Sequence, residues 1–128
     1  MAYSINKVTL LGNVGKDPEI RSFQNGGKVA NFTLATSESW KDKTTGEKKT
    51  ATEWHNIVFH GDGLVGLAEK HIKKGARLVI EGAQLETRKW EKDGVTRYTT
   101  EIVVRPYGGN VVLLDAKDAP ADEPPPVE

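Results

Sequence analysis

Between Lys28 and His60 the sequence alternates apolar and polar residues twice, and the two runs are separated by nine residues, Lys41 to Lys49, that are too polar to bury. In Lys28 to Ser37, Ala30, Phe32 and Leu34 share one face and Asn31, Thr33 and Ala35 the other. In Ala51 to His60, Trp54, Asn56, Val58 and His60 lie opposite His55, Ile57 and Phe59. A period of two sustained this long belongs to half-buried strands. Two such strands joined by a charged loop make a long β-hairpin with one face on a core and the other free for a ligand. A tryptophan stands at each edge of the loop, Trp40 leaving the first arm and Trp54 entering the second.

The rest of the chain supplies partners for that hairpin. Asn6 to Val14 reads as a first strand, closed by Gly15 and the turn-forming Asp17-Pro18. Ile20 to Phe23 is a short alternating run, and Asn25-Gly26-Gly27 can take the positive backbone angles of a hairpin turn. Asp62 is expected to cap a helix with an apolar stripe of Leu64, Leu67, Ala68 and Ile72, Lys73-Lys74 at its negative end and Gly75 as its stop. Ala76 to Trp90 reads as a long strand bent or bulged at Gly82, and Lys92-Asp93-Gly94 turns it into Val95 to Val104. A last apolar run, Val111 to Leu114, ends the body. Hairpin-joined strands with one helix predict an all-β, five-stranded barrel, because closure removes exposed edges, and the helix would plug one end.

A chain of 128 residues supports one modest core, so a single domain over residues 1–114 followed by a tail is expected. From Asp115 onward Ala, Asp, Glu and Pro dominate, which predicts a disordered acidic, proline-rich segment over 115–128. Five acidic residues against one lysine leave that tail at −4, and the body, with 17 basic and 13 acidic residues, at +4. The body is therefore the part suited to an anion. No apolar run is long enough for a membrane span and the amino terminus lacks a signal pattern, so a soluble cytoplasmic protein is expected. The absence of cysteine removes disulfides, thiolate metal sites and cysteine nucleophiles.

Catalysis has no visible seat, and neither a metal nor a cofactor is expected. His55, His60 and His71 lack metal-pair spacing, and no Walker, G-x-S-x-G or H-E-x-x-H pattern occurs. The rival motif is Gly61-Asp62-Gly63-Leu64-Val65-Gly66, which fits G-x-G-x-x-G between a strand and a helix, with Glu81 about twenty residues on. A dinucleotide-binding protein built on Gly61 to Gly66 is thus an alternative, although that fold needs a parallel sheet with repeated helical crossovers.

The aromatics point elsewhere. Trp40 abuts Lys41 and Lys43, Trp54 shares a strand face with Asn56 and His60, and Trp90 lies in Thr87-Arg88-Lys89-Trp90-Glu91-Lys92. Rings interleaved with cations suit single-stranded nucleic acid, whose bases stack at roughly 1–3 kcal/mol each while lysine and arginine follow the phosphates. The cations assigned to the backbone are Lys41, Lys43, Lys48, Lys49, Arg88, Lys89 and Arg97.

The sequence resembles the bacterial single-stranded DNA-binding protein family from about Asn6 to Tyr107. The resemblance rests on Asn6-Lys7-Val8, Asp17-Pro18-Glu19, Asn25-Gly26-Gly27, Leu34 to Trp40, Thr52-Glu53-Trp54-His55, Ile80-Glu81-Gly82, Thr87-Arg88-Lys89-Trp90 and Arg97 to Glu101. It implies an OB-fold, a homotetramer, and a non-enzymatic role coating single-stranded DNA in replication, recombination and repair, in the nucleoid. Trp40, Trp54 and Trp90 match the family's stacking positions, Lys41 to Lys49 its mobile wrapping hairpin, and His55 its subunit-contact histidine. An OB-fold RNA-binding or adaptor protein is a further alternative. Three features depart from the pattern. His60 stands where a stacking phenylalanine is common, and is taken as a base contact. Glu86 stands where a basic residue is common, and is expected to weaken phosphate attraction. The tail stops at Pro126-Val127-Glu128 without the acidic aromatic tip that recruits replication and repair proteins.

Overall fold

The computed structural model describes residues 3–114, so the expected tail over 115–128 lies outside the described residues. Along the chain come β1 (Val8–Val14), β2 (Glu19–Ser22), β3 (Lys28–Lys41), β4 (Lys48–His60), α1 (Asp62–His71), β5 (Arg77–Lys92), β6 (Val95–Val104) and β7 (Asn110–Leu114). Pairing runs β1-β3-β4-β6-β5, and β1 pairs again with β5, so five strands close a ring. The expected barrel is present, with β2 added on β3 and β7 on β5. The predicted hairpins hold. Gly26 has φ 91° in the β2–β3 turn, and Asp93 and Gly94, at φ 54° and 77°, make the β5–β6 turn.

Closure depends on one parallel pairing that hairpin logic does not supply. The β4–α1–β5 connection carries the chain across the ring, and β6 returns beside β4 with Ile57 against Ile102, Val58 against Val103 and Phe59 against Val104. Inside the ring Phe32 and Phe59 meet edge to face, with centroids 5.1 Å apart, among Leu34, Ile57, Leu78, Ile80 and Val104. Each such fully buried side chain stabilises the fold by about 1.5–3 kcal/mol.

The helix packs against β3 and β4 and closes the core with Val65, Ala68 and Ile72, so Val65 rather than Leu67 completes the buried stripe. Asp62 does not cap it. Gly61 is the N-cap at φ 97°, no side chain caps, and Asp62 sits in the first turn. The pattern placed the cap one residue late because a glycine cap leaves no side-chain signature. The stop also differs, since Ile72 adopts extended angles before Lys73-Lys74 and Gly75 are reached.

Gly82 is the bend of β5. Between Leu10–Ile80 and Val8–Ala83 strand β5 advances one residue more than β1, which is a bulge. Besides β1, the bent strand serves two further neighbours, β7 over Arg77 to Glu81 and β6 over Gln84 to Lys92. A side chain is excluded twice at Gly82, by φ 71° and by the Gly108 carbonyl oxygen, which lies 2.1 Å from where Cβ would stand. Gly82→Ala is therefore expected to cost about 2–4 kcal/mol, read as a lower urea midpoint at unchanged m-value.

Candidate nucleic-acid interface

Strands β3 and β4 stay in one register over thirteen rungs, from Val29–His60 to Lys41–Lys48, without a bulge. Faces assigned at the barrel therefore persist to the tip of the ribbon. Ala35 pairs with Trp54, so Trp54 belongs to the outer face with Asn31, Thr33, Asn56, Val58 and His60. Trp40 pairs with Lys49 and belongs to the opposite face, continuous with Thr36, His55 and, lower down, the core. The outer face extends across the parallel seam: Val58 adjoins Val103, and the β5–β6 ladder adds Glu86, Arg88, Trp90, Arg97, Thr99 and Glu101. Lys89 pairs with Tyr98 on the other face.

The rings are held in different ways. Trp54 is 61% exposed and lies on Gly15, where a Cβ would come within 2.4 Å of the indole; the Gly15 N–H donates to the Thr33 carbonyl at 2.8 Å and fixes that floor. Trp90 is half-buried. Its Nε1–H donates to Thr99 Oγ1 at 2.8 Å, and the Arg97 guanidinium sits 5.8 Å from a Trp90 ring centroid as a cation–π partner. Trp40 is exposed on the reverse face. There His55 Nε2 and Thr36 Oγ1 share a 2.9 Å hydrogen bond across the ribbon.

At the outer face's centre Val29, Val58 and Val103 form a small buried cluster apart from the barrel core. Above it opens a cleft of about 470 Å³ whose walls include Phe23, Asn31, His60, Arg21, Glu86, Arg88, Glu101 and Arg105. A second depression of about 260 Å³ shares Arg21, Asn31, Val58, Arg88 and Glu101 with it and adds Lys16, Thr33 and Asn56, so the two form one track. Arg21, Arg105, Lys16 and Phe23 were not singled out from the sequence. In the sequence Arg21 and Phe23 are only parts of a short alternating run, and no local pattern marks Arg105 or Lys16.

Most charges in the track are paired. Arg105 makes a two-pronged contact with Glu86, Arg88 meets Glu101 at 3.4 Å, and Arg21 meets Glu19 at 2.8 Å. Glu86 is held by Arg105, so the pair offers a phosphate less net positive charge than the guanidinium alone would. The Arg105 hydrogen bond lowers the Glu86 carboxyl below its usual range. At the ribbon tip Asp42 accepts from the Thr44 and Thr45 N–H groups at 2.8 and 3.3 Å and pairs with Lys49 at 3.3 Å. Those contacts, the Thr44 one foremost, lower its pKa and order the loop around Gly46, at φ 77°. Lys41 and Lys48 face each other on the outer side of the tip, and Lys43 is exposed within the loop.

The glycine motif at Gly61 to Gly66 does not build a dinucleotide site. Strands β4 and β5 on either side of the helix are not paired, and β5 is antiparallel to β1, β6 and β7. Gly61 instead accommodates the Pro106 ring, 3.1 Å from a would-be Cβ.

The profile of the Single-strand binding protein family matches residues 5–113. The chain is 49% identical over 120 residues to the single-stranded DNA-binding proteins of Rickettsia felis and Rickettsia prowazekii, covering 93% of this chain and 78% of each of theirs. Its fold is similar to that of a Plasmodium falciparum SSB in complex with ssDNA, with TM-score 0.80 and 40% identity over 90% of this chain and 99% of that one.

Within the track His60 titrates below the ordinary histidine value of 6.5, first because burial disfavours its cation and next because Arg105 repels it, against weaker attraction from Glu86 and Glu101. A base depressed in the folded state gives stability that is complete above 6.5 and lost as pH falls, because the unfolded chain takes up the proton first. Urea melts between pH 7.5 and 5 are expected to show stability declining with acid, and His60→Phe to flatten that decline.

Proposed function

The chain belongs to the single-strand binding protein family, and we propose that it coats single-stranded DNA, without preference for sequence, as a non-enzymatic homotetramer serving replication, recombination and repair. The observation that carries this reading is the outer face, which holds Trp54 against Gly15 and Trp90 anchored by Thr99 on the same surface as the arginine-bearing track. A ring already fixed in position offers a base its stacking energy with little further loss of side-chain freedom.

In this reading a strand lies along the outer face. Its bases stack on Trp54, Trp90 and His60, and Arg88, Arg97, Lys41, Lys43 and Lys48 neutralise its phosphates. Arg97 moves off the Trp90 ring as a base takes its place. Arg88 exchanges Glu101 for a phosphate, the guanidinium being the exposed member of a long, 3.4 Å pair. Trp40, Lys49 and Lys89 lie on the reverse face, so a strand reaches them only by crossing the ribbon tip, where Lys41, Lys43 and Lys48 stand. His55, also on that reverse face, serves the contact between subunits. Such a ligand implies work in the cytoplasm with the nucleoid, and any contact with replication and repair proteins would be made without the family's acidic aromatic tip.

Titration with oligothymidine is expected to quench tryptophan fluorescence strongly, with affinity falling as salt rises. Trp54→Ala should weaken binding about 5- to 150-fold at unchanged melting temperature. Saturable binding of a nicotinamide dinucleotide without response to DNA would overturn the reading, and tighter binding of a matched RNA would redirect it to RNA.

A further inference from the structure

We propose that Phe23 is a further base-stacking platform, and that the cleft between Phe23 and His60 seats one nucleotide of the bound strand. The proposal rests on the single-strand reading and adds a residue to it.

Phe23 follows the last residue of β2, yet it continues that ladder. The pairs Glu19–Asn31 to Ser22–Lys28 lead to Phe23 opposite Gly27, and the Phe23 N–H donates to the Gly27 carbonyl at 2.7 Å. The Phe23 carbonyl in turn accepts from the Gly26 N–H at 3.0 Å, so the backbone is locked on both sides. Alternation then sets the ring on the outer face with Arg21 and Val29. The residue across the ladder has no side chain, and a Cβ on Gly27 would stand 3.5 Å from Phe23 Cδ2. The arrangement parallels Trp54 on Gly15: an aromatic ring beside glycine backbone with much of its surface open. Phe23 is 52% exposed and contributes to neither buried cluster.

The surroundings suit a nucleotide. The cleft has an apolar floor of Val29, Val58 and Val103, and its volume of about 470 Å³ falls in the range of small-ligand sites. His60 forms another aromatic wall, neutral at physiological pH because its cation is disfavoured there. Phe23 and His60 lie on the same outer face as Trp54 but away from it: six steps along β4 lead from Trp54 to His60, roughly 20 Å of strand. The guanidinium groups that line the cleft, Arg21, Arg88 and Arg105, are each engaged by a carboxylate. Net electrostatic attraction at this end is therefore small, and the ring supplies most of the local affinity. That balance predicts a signature that distinguishes stacking from phosphate contact.

The test measures binding of a labelled oligothymidine by anisotropy at low and high salt, using the full chain with Phe23→Ala, Phe23→Leu and Phe23→Trp. The Ala and Leu variants are expected to lose about five- to fiftyfold in affinity, by the same factor at both salts, and the Trp variant to bind as tightly as the parent. Melting temperatures should match throughout, since the ring is half exposed. Parent-like binding by the Leu variant would overturn the proposal, because leucine keeps the apolar contact and lacks the π face. A loss that appears only at low salt would also overturn it. Failure of the unsubstituted protein to bind DNA would instead remove the single-strand reading itself, and Phe23 with it.

Discussion

The unbroken β3–β4 ladder is the constraint on which the rest depends. Thirteen rungs without a bulge carry one two-residue period from the barrel floor to the ribbon tip. At the base that period buries Phe32, Leu34, Ile57 and Phe59, and a slip of one residue would turn all four to solvent. Register there is therefore fixed by several buried side chains at about 1.5–3 kcal/mol each. The exposed end inherits that precision without having to generate it. Trp54 faces the outer track because Ile57 and Phe59 face the core, and Trp40 faces the reverse side for the same reason.

Where side chains would interfere, the chain uses backbone. Gly12 lets β1 approach β3 so closely that a Cβ would stand 2.2 Å from the Ala35 carbonyl oxygen, and Gly82 does the same for β5 against Gly108. The first approach helps close the ring, and the second seats the loop before β7 against β5. Gly15 serves the outer surface, where a missing Cβ makes the shelf on which Trp54 rests. The same economy that closes the barrel thus positions the ring proposed to meet a base.

The strands, both tight turns and the core face of the hairpin were legible because period two and glycine placement are local signals. The β5–β6 arm from Val95 to Val104 was placed at its observed limits for that reason. What the sequence did not reveal was long-range. The parallel β4–β6 seam depends on where the helix delivers the chain, and no local pattern records it. That seam joins Val58 to Val103 and so makes two separate ribbons one surface. The division of Trp40 from Trp54 was present in the parity of the residues, but only a continuous register turns parity into geometry. The partnership of Glu86 with Arg105 spans nineteen residues in sequence and was invisible to a reading of either alone.

The outer track is also more nearly neutral than its count of arginines suggests, and this shapes how it would hold a polyanion. A surface of unpaired cations gives affinity that collapses as salt rises. One in which Arg88 and Arg105 already hold Glu101 and Glu86 begins from a compensated state, and a phosphate must replace a carboxylate instead of meeting a bare charge. The exchange gains little energy but leaves the guanidinium groups oriented before the strand arrives. In the proposed reading affinity would then fall more heavily on the rings, whose stacking does not depend on base identity. Charge on the ribbon tip, at Lys41, Lys43 and Lys48, would in that reading attract the strand from a distance, and the aromatic face would retain it.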